Sequence, residues 1–369
     1  MGEGPRILFA GGGTGGHLYP GLAVADAMMK LVPETEIRFY VTRRAIDRQV
    51  LAAHPYAAEY VEVRGFSPKP WTWPGLALSM LRNRQQAGRY LEEFRPQAVV
   101  GLGGFGSYAA TRAAQRLGLP NFVLNPDLVV GRANRRLARR ATAVFVQFAE
   151  TAATVRTRGR VEVVGCPIRE SLFGIDRAEA CRKLELDPAR KTLVVTGASL
   201  GARSVNQAVV MLAERWAEFA DWQILHLAGR ENAAEVRAAV GSTKPFYNVR
   251  DYVEEMGLVY AATDLIVARS GAGSVAEITA LGLSSVLVPY PFHRDRHQEQ
   301  HAELLAAAGA AEIVLDRLDA RANAEALWPV LSKLMKDADR RKTMAAAAKK
   351  LGHPEAARRV AEKILGAAM

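Results

Sequence analysis
The sequence predicts an α/β protein made of two doubly wound parallel-sheet domains, and three observations predict it. Short apolar runs alternate with helix-period stretches along the chain, which argues for parallel strands covered by helices on both faces. A glycine turn, Gly11 to Gly16, joins the first run to the first helix, and a second, Gly197 to Ala202, does the same where the pattern restarts. At 369 residues the chain also exceeds the usual size of one core. The expected domains are 1–164 and 165–343, divided near Gly165-Cys166-Pro167, with a terminal helix in 344–369 returning to the first.

Taken in order, Arg6 to Ala10 is short, apolar and bounded by glycine, as a buried parallel strand is, and Leu18 to Leu31 is apolar at helical spacing. Between them Gly11-Gly12-Gly13-Thr14-Gly15-Gly16-His17 presents bare backbone. Its N–H groups and the helix N-terminus suit an anion or a closely held polyol, although a turn that merely packs helix on strand would also use these glycines. The Gly-x-Gly-x-x-Gly spacing fits a dinucleotide site, but the next strand, Glu36 to Val41, ends in Thr42-Arg43-Arg44 without the acid that would hold a ribose. His17 stands where a P-loop needs lysine.

A helix over Ala45 to Ala53 and strands at Tyr60 to Arg64, Ala98 to Leu102, Asn121 to Leu124 and Ala143 to Gln147 follow. The turn Gly101 to Tyr108 should lie on the same carboxyl edge as the first, and so should Asn125-Pro126-Asp127. Asp127 serves chemistry there or caps the next helix. Trp71 to Leu81, followed by Arg82, Arg84 and Arg89, is either a core helix or an element that lies in a membrane interface. Arg132, Arg135, Arg136, Arg139 and Arg140 form a basic helix that water or anionic lipid would suit.

The second half places strands at Leu193 to Thr196, Gln223 to Leu227, Phe246 to Tyr252, Asp264 to Val267 and Ser285 to Pro289. In Ala268 to Glu277 small residues open a helix N-terminus to a pyrophosphate, and Glu277 can accept from a ribose diol or simply favour an early helical turn. His293, His297 and His301 invite a metal, but His297 and His301 share a helix face with no evident third ligand, so no metal is expected.

Composition narrows the class. Two cysteines, Cys166 and Cys181, make no disulfide framework, which favours a cytoplasmic protein. Neither a signal peptide nor an apolar run of the ~18 residues a membrane span needs is evident. Net charge is +11, from 49 Lys+Arg against 38 Asp+Glu, which favours an anionic partner.

Taken together, these motifs resemble the two-domain nucleotide-sugar glycosyltransferases of the GT-B fold, whose domains face a cleft. Gly11 to Ala23 is similar to the signature of the MurG family, and the likeness extends to Gly103-Gly104-Phe105, Gly165 to Arg169, Ala198 to Ala202, Arg269 to Glu277 and Asp295 to Gln298. The resemblance implies transfer of N-acetylglucosamine (GlcNAc) from UDP-GlcNAc to a lipid-linked N-acetylmuramyl (MurNAc) pentapeptide, the lipid I to lipid II step of peptidoglycan synthesis. It implies a peripheral protein on the anionic cytoplasmic face of the plasma (inner) membrane, with no cofactor and no nucleic acid. Donor contacts would fall on Thr14, Gly15, Gly16, Arg169, Ser199, Val253, Ala272, Gly273, Ser274, Val275, Ala276, Glu277 and Gln298, and the base would be His17 or Asp127. Departures are Leu124-Asn125-Pro126-Asp127 for the usual His-Glu-Gln-Asn, Leu200 for Gln and His301 for Asn. A UDP-GlcNAc 2-epimerase and a non-catalytic UDP-sugar-binding protein share the architecture and stay open as alternatives.

Overall fold
A computed structural model describes residues 4–63, 73–197, 201–241, 246–292 and 295–369. The chain forms two compact units, Met1–Arg169 with His353–Met369, and Glu170–Gly352. Among the described residues each unit is a parallel sheet between helices.

The first sheet contains β1 (Arg6–Gly11), β2 (Glu36–Thr42), β3 (Ala57–Val61), β4 (Ala98–Gly103), β5 (Asn121–Asn125), β6 (Ala143–Val146) and β7 (Arg160–Val163), in the order β3-β2-β1-β4-β5-β6-β7. The chain winds outward from β1 in one direction, then returns to β4 and winds in the other. The crevice that such a reversal opens lies at the carboxyl ends of β1 and β4, where doubly wound sheets bind ligands. Both glycine turns of this unit sit there, and Gly11 pairs with Gly103 in the ladder. The central strands are apolar on both faces, with Ile7, Leu8, Phe9, Val99 and Val100 fully buried, because helices cover both sides.

One face is covered by α1 (Gly15–Leu31) and by the terminal helix α15 (Ala356–Ala368), whose Val360, Ile364 and Leu365 join the core with Leu18, Leu22 and Met28. The chain thus ends in the unit where it began. On the other face α3 (Trp73–Phe94) and α4 (Gly104–Arg116) pack through Ala87, Leu91, Phe94, Ala110 and Ala114.

The second sheet contains β8 (Lys191–Thr196), β9 (Trp222–Leu227), β10 (Tyr247–Arg250), β11 (Leu265–Ala268), β12 (Ser285–Leu287) and β13 (Ala311–Ile313), in the order β10-β9-β8-β11-β12-β13. The reversal recurs between β8 and β11. It places the carboxyl end of β8, after which α8 (Arg203–Met211) follows, beside that of β11, which leads into α11 (Ala272–Leu281).

Three strands differ from the sequence pattern, and one of them, β7 at Arg160–Val163, matches no expected strand. β3 lies at Ala57–Val61 instead of Tyr60 to Arg64, since pairing with Arg38 to Thr42 fixes its register earlier in the chain. β13 is a three-residue edge strand, too short to show a period.

Candidate active site
In the first unit the two glycine turns meet around one histidine. Gly11, Gly12, Gly13, Gly103 and Gly104 all have positive φ, between +72° and +143°, which only glycine adopts without strain. At Gly103 a Cβ would lie 3.1 Å from Cδ2 and 3.2 Å from Nε2 of His17, so the imidazole rests against bare backbone. Thr14 precedes α1 without making a side-chain cap; its Oγ1 lies 3.1 Å from His17 Nδ1.

Asp47, fully buried, holds the turn from beneath. Both carboxylate oxygens accept from Gly13 N–H at 2.8 Å, and Thr42 Oγ1 donates a further short bond. Arg44 closes the other side, donating to the Gly13 carbonyl at 3.0 Å.

Asp127 sits in the loop after β5, half-buried. It does not cap the following helix, because α5 (Arg132–Ala138) starts five positions later with Gly131 as its cap. Instead Asn125 Nδ2 donates to the Asp127 carbonyl at 2.6 Å, and Asn134 Nδ2 donates to Asn125 Oδ1 at 3.0 Å. Burial pushes His17 below the usual histidine range, opposed by the charges of Asp127 and Asp47 and by the Gly12 backbone. A neutral imidazole near neutral pH, with carboxylates close enough to stabilise its protonated form, can accept a proton and hold it.

In the second unit the turn before α11 is held by a buried ion pair. Arg269 Nη2 lies 2.8 Å from Asp316 Oδ2, and its Nη1 donates to the carbonyls of Val288 and Pro289 at 3.1 Å. Ser204, at the start of α8, donates to Asp316 at 2.5 Å, so one carboxylate ties both turns of this unit together. Burial alone would raise the Asp316 carboxyl; hydrogen bonds from Ser204, Asn323, Leu318 N–H and Arg269 outweigh it and hold it below the usual range.

The helix after that turn opens with Ala272, Gly273 and Ser274 and has no side-chain cap, leaving first-turn N–H groups for an anion. Ser270 is clamped to α12 (His297–Ala307): its Oγ donates to the Gln298 carbonyl at 2.7 Å, and its carbonyl lies 2.9 Å from His301 Nδ1. Gln298 Oε1 accepts from Tyr290 N–H at 3.0 Å. Glu277 lies in the second turn of α11, half-buried beside Val275 and Ala276, and accepts a short bond from the phenol of Tyr260. It is therefore not a surface acid of the first turn.

The other expected donor residues stand apart by unit. Val253 is half-buried in the loop after β10, and Arg169 belongs to the first unit, its guanidinium 4.8 Å from the Tyr19 ring. Ser199, Leu200 and His293 lie outside the described residues. Sequence reasoning missed Asp47, Asn134, Tyr260, Arg269 as a strut, and Asp316. Among the described residues no group of three or more His, Cys, Asp or Glu is placed to hold a metal ion.

In the first half of α3, Leu78, Met80 and Leu81 stay out of the core. Leu78, Met80 and Leu81 are each about half exposed, at 48%, 47% and 50%, and Arg82, Arg84 and Arg89 are exposed as well. Trp71 and the side chains of Trp73 and Leu76 lie outside the described residues. Charge is also uneven, with 26 Lys+Arg against 14 Asp+Glu in the first unit and 23 against 24 in the second. Residues 132–160 contribute eight arginines, all exposed, against the single acid Glu150. No described helix is long and apolar enough to cross a membrane.

Comparison with known proteins matches residues 7–146 to the glycosyltransferase family 28 N-terminal domain and 192–360 to its C-terminal domain. A UDP-N-acetylglucosamine–N-acetylmuramyl-(pentapeptide) pyrophosphoryl-undecaprenol N-acetylglucosamine transferase of Prosthecochloris aestuarii is 36% identical over 372 residues, 98% of this chain and 99% of that one. One of the same name from Thermodesulfovibrio yellowstonii is 31% identical over 359 residues, 97% of both chains. Among solved structures, Acinetobacter baumannii MurG aligns with TM-score 0.74 at 24% identity, covering 98% of this chain and 99% of that one. A Neisseria meningitidis UDP-GlcNAc 2-epimerase aligns with TM-score 0.67 at 14% identity, covering 98% and 100%. Both share the GT-B fold of two doubly wound sheets, and at these identities they show the fold alone. The full-length relatives go further: this chain belongs to glycosyltransferase family 28 and, within it, to the MurG family of N-acetylglucosaminyltransferases.

Proposed function
We propose that this chain transfers GlcNAc from UDP-GlcNAc, with inversion, to the C4 hydroxyl of MurNAc in undecaprenyl-pyrophosphoryl-MurNAc-pentapeptide, turning lipid I into lipid II. The observation that carries this reading is the 36% identity along 98% of the chain to a relative named for that transfer. An epimerase shares only the fold.

In this reading His17 is the general base. Its ring is kept neutral by burial, and Asp127 stabilises the imidazolium that forms when the acceptor hydroxyl gives up its proton. In the second unit, departing UDP is assigned to the uncapped start of α11 and to Ser199, so that charge developing on the leaving group falls on backbone N–H and hydroxyl donors. Within the second unit Glu277 accepts from the ribose hydroxyls, the backbone at Val253 meets the uracil, and Gln298 is assigned to the sugar.

The test is UDP release from UDP-GlcNAc with and without a soluble lipid I analogue. Acceptor-dependent release with a disaccharide product supports the reading. Acceptor-independent formation of the 2-epimer, or binding without turnover, overturns it.

We place the protein on the cytoplasmic face of the plasma membrane. Leu78, Met80 and Leu81 supply apolar contact and the arginines of the first unit supply attraction to anionic headgroups, about 1 kcal/mol for each basic residue near such a surface. The protein should sediment with anionic vesicles at low salt, less at high salt, and poorly with neutral ones. Replacing Leu78, Met80 and Leu81 together by Ser should release it while UDP affinity stays as in the wild type; a variant that remains vesicle-bound removes this face from the interface.

A further inference from the structure
A short bond joins the Tyr260 phenol to Glu277, the acid assigned above to the ribose. Tyr260 is 5% exposed and lies on α10 (Met256–Ala261), the helix that follows the Val253 loop. That helix is fixed at both ends. At its start Gly257 is so closely packed that a Cβ would lie 2.5 Å from Ile175 Cδ1 and 2.6 Å from the Ser171 carbonyl. Past its end Arg177 donates to the Ala262 carbonyl at 2.8 Å while pairing with Asp264 at 2.7 Å. The phenol oxygen is therefore a rigid point, and the carboxylate it holds stands on another helix.

We infer that Tyr260 is a positioning residue that fixes the Glu277 carboxylate for a vicinal ribose diol and so sets the preference for ribonucleotide over 2′-deoxyribonucleotide donors. The inference rests on the assignment of Glu277 to the ribose. A glutamate free to rotate presents its oxygens in many directions, whereas one anchored through Oε2 is held in a single orientation. Because Val253 lies just before α10 and Tyr260 within it, the base-binding backbone and the ribose-binding acid are tied to the same helix.

The experiment is calorimetric titration of the full chain with UDP and with 2′-deoxy-UDP, read as the ratio of the two affinities. Tyr260→Phe should weaken UDP roughly three- to tenfold, leave 2′-deoxy-UDP nearly unchanged and lower the ratio accordingly. In turnover the KM for UDP-GlcNAc should rise by the same factor with kcat close to wild type. In the Glu277→Ala background the Tyr260 substitution should have no further effect. Replacing Tyr260 with 3-fluorotyrosine, which keeps the shape but draws the shared charge toward the phenol, should lower the ratio by less; this arm decides the matter if Tyr260→Phe does not fold. An unchanged ratio in both Tyr260 variants, with the ratio lost in Glu277→Ala, overturns the role of Tyr260 and leaves the ribose assignment standing. A ratio kept in Glu277→Ala removes the ribose assignment, and the inference with it.

Discussion
Asp47 and Asp316 are both buried carboxylates beneath a turn that opens a helix, one in each unit, and they are neutralised in opposite ways. Asp47 accepts from one N–H and one hydroxyl, dipoles that cost little to leave in place. Asp316 faces a full cation, Arg269, and three further donors, Ser204, Asn323 and the Leu318 N–H. The first turn is bent by glycines at positive φ and only pinned by its carboxylate. The second has ordinary backbone and is held in place by side-chain charge. A turn shaped by main chain should survive loss of its pin, whereas one held by an ion pair should not, because removing one partner strands the other charge in a dry interior.

The largest expected effect concerns chemistry in the glycine-bent turn. His17→Ala should lower turnover by on the order of 10²–10⁴ while UDP affinity stays near wild type, because the imidazole is assigned to the acceptor proton and not to the donor. Asp127→Asn should cost less, since it acts on His17 through its charge. Steady-state rates at saturating UDP-GlcNAc decide between them; a variant of Asp127 slower than that of His17 would make Asp127 the base.

Asp316→Ala comes next and should destabilise the second unit by about 3–5 kcal/mol, measured by urea unfolding, because Arg269 is left buried without its counter-charge. Replacing both partners by apolar residues should recover much of that loss. If the single and double variants are equally unstable, the turn is not held by the ion pair.

These contrasts bear on what the sequence could show. The strand-turn-helix logic was legible because period and glycine are local signals: the runs at β1, β4 and β8, the turns after the first two, and His17 directly following a turn. Asp127 and Glu277 were legible as acids near strand ends, but not their partners. Asp47 meets Gly13 across 34 positions and Ser204 meets Asp316 across 112, and no pattern within one segment announces such pairs. β13 and the register of β3 were equally hidden, since three residues carry no period and a neighbouring strand sets the register. That α3 exposes Leu78, Met80 and Leu81 while it buries Ala87, Leu91 and Phe94 could not be read from composition, since apolar side chains stand in both stretches.

Acid should also separate the units. His226, fully buried in β9, lies between Tyr247 Oη at 2.8 Å from Nδ1 and Asn206 Oδ1 at 3.0 Å from Nε2. Because Asn206 Nδ2 already donates to the Ala228 carbonyl, Oδ1 is an acceptor and Nε2 carries the proton, leaving Nδ1 to accept from the phenol. Burial pushes this histidine down to about 4. The unfolded chain, titrating near 6.5, binds the proton first, so stability is complete above about pH 6.5 and falls as pH drops toward 4, by up to about 3 kcal/mol. His226→Gln should flatten that slope in unfolding measured between pH 7 and 4.5. An unchanged slope would assign the acid sensitivity elsewhere, with His17, also lowered by burial, the first alternative.

The smallest effect should come from Asp47→Asn, and it tests the comparison most directly. The amide keeps the volume, and its carbonyl can still accept from Gly13 N–H, but its NH₂ faces the hydroxyl of Thr42, which must turn to accept instead. No buried charge is stranded, because the substitution removes the charge and every partner is neutral. The cost should be roughly 1–2 kcal/mol, well below that of Asp316→Ala. Turnover should fall only slightly, since the positive φ values at Gly12 and Gly13 keep the turn bent without a carboxylate. Gly12→Ala supplies the opposite arm: a Cβ there would lie 2.8 Å from Asp47 Oδ2, at a φ of +140°, so both strain and a clash fall on the turn itself. If Asp47→Asn proves as damaging as Gly12→Ala in both unfolding and turnover, the first turn depends on its carboxylate as the second does, and the two units hold their sites in the same way.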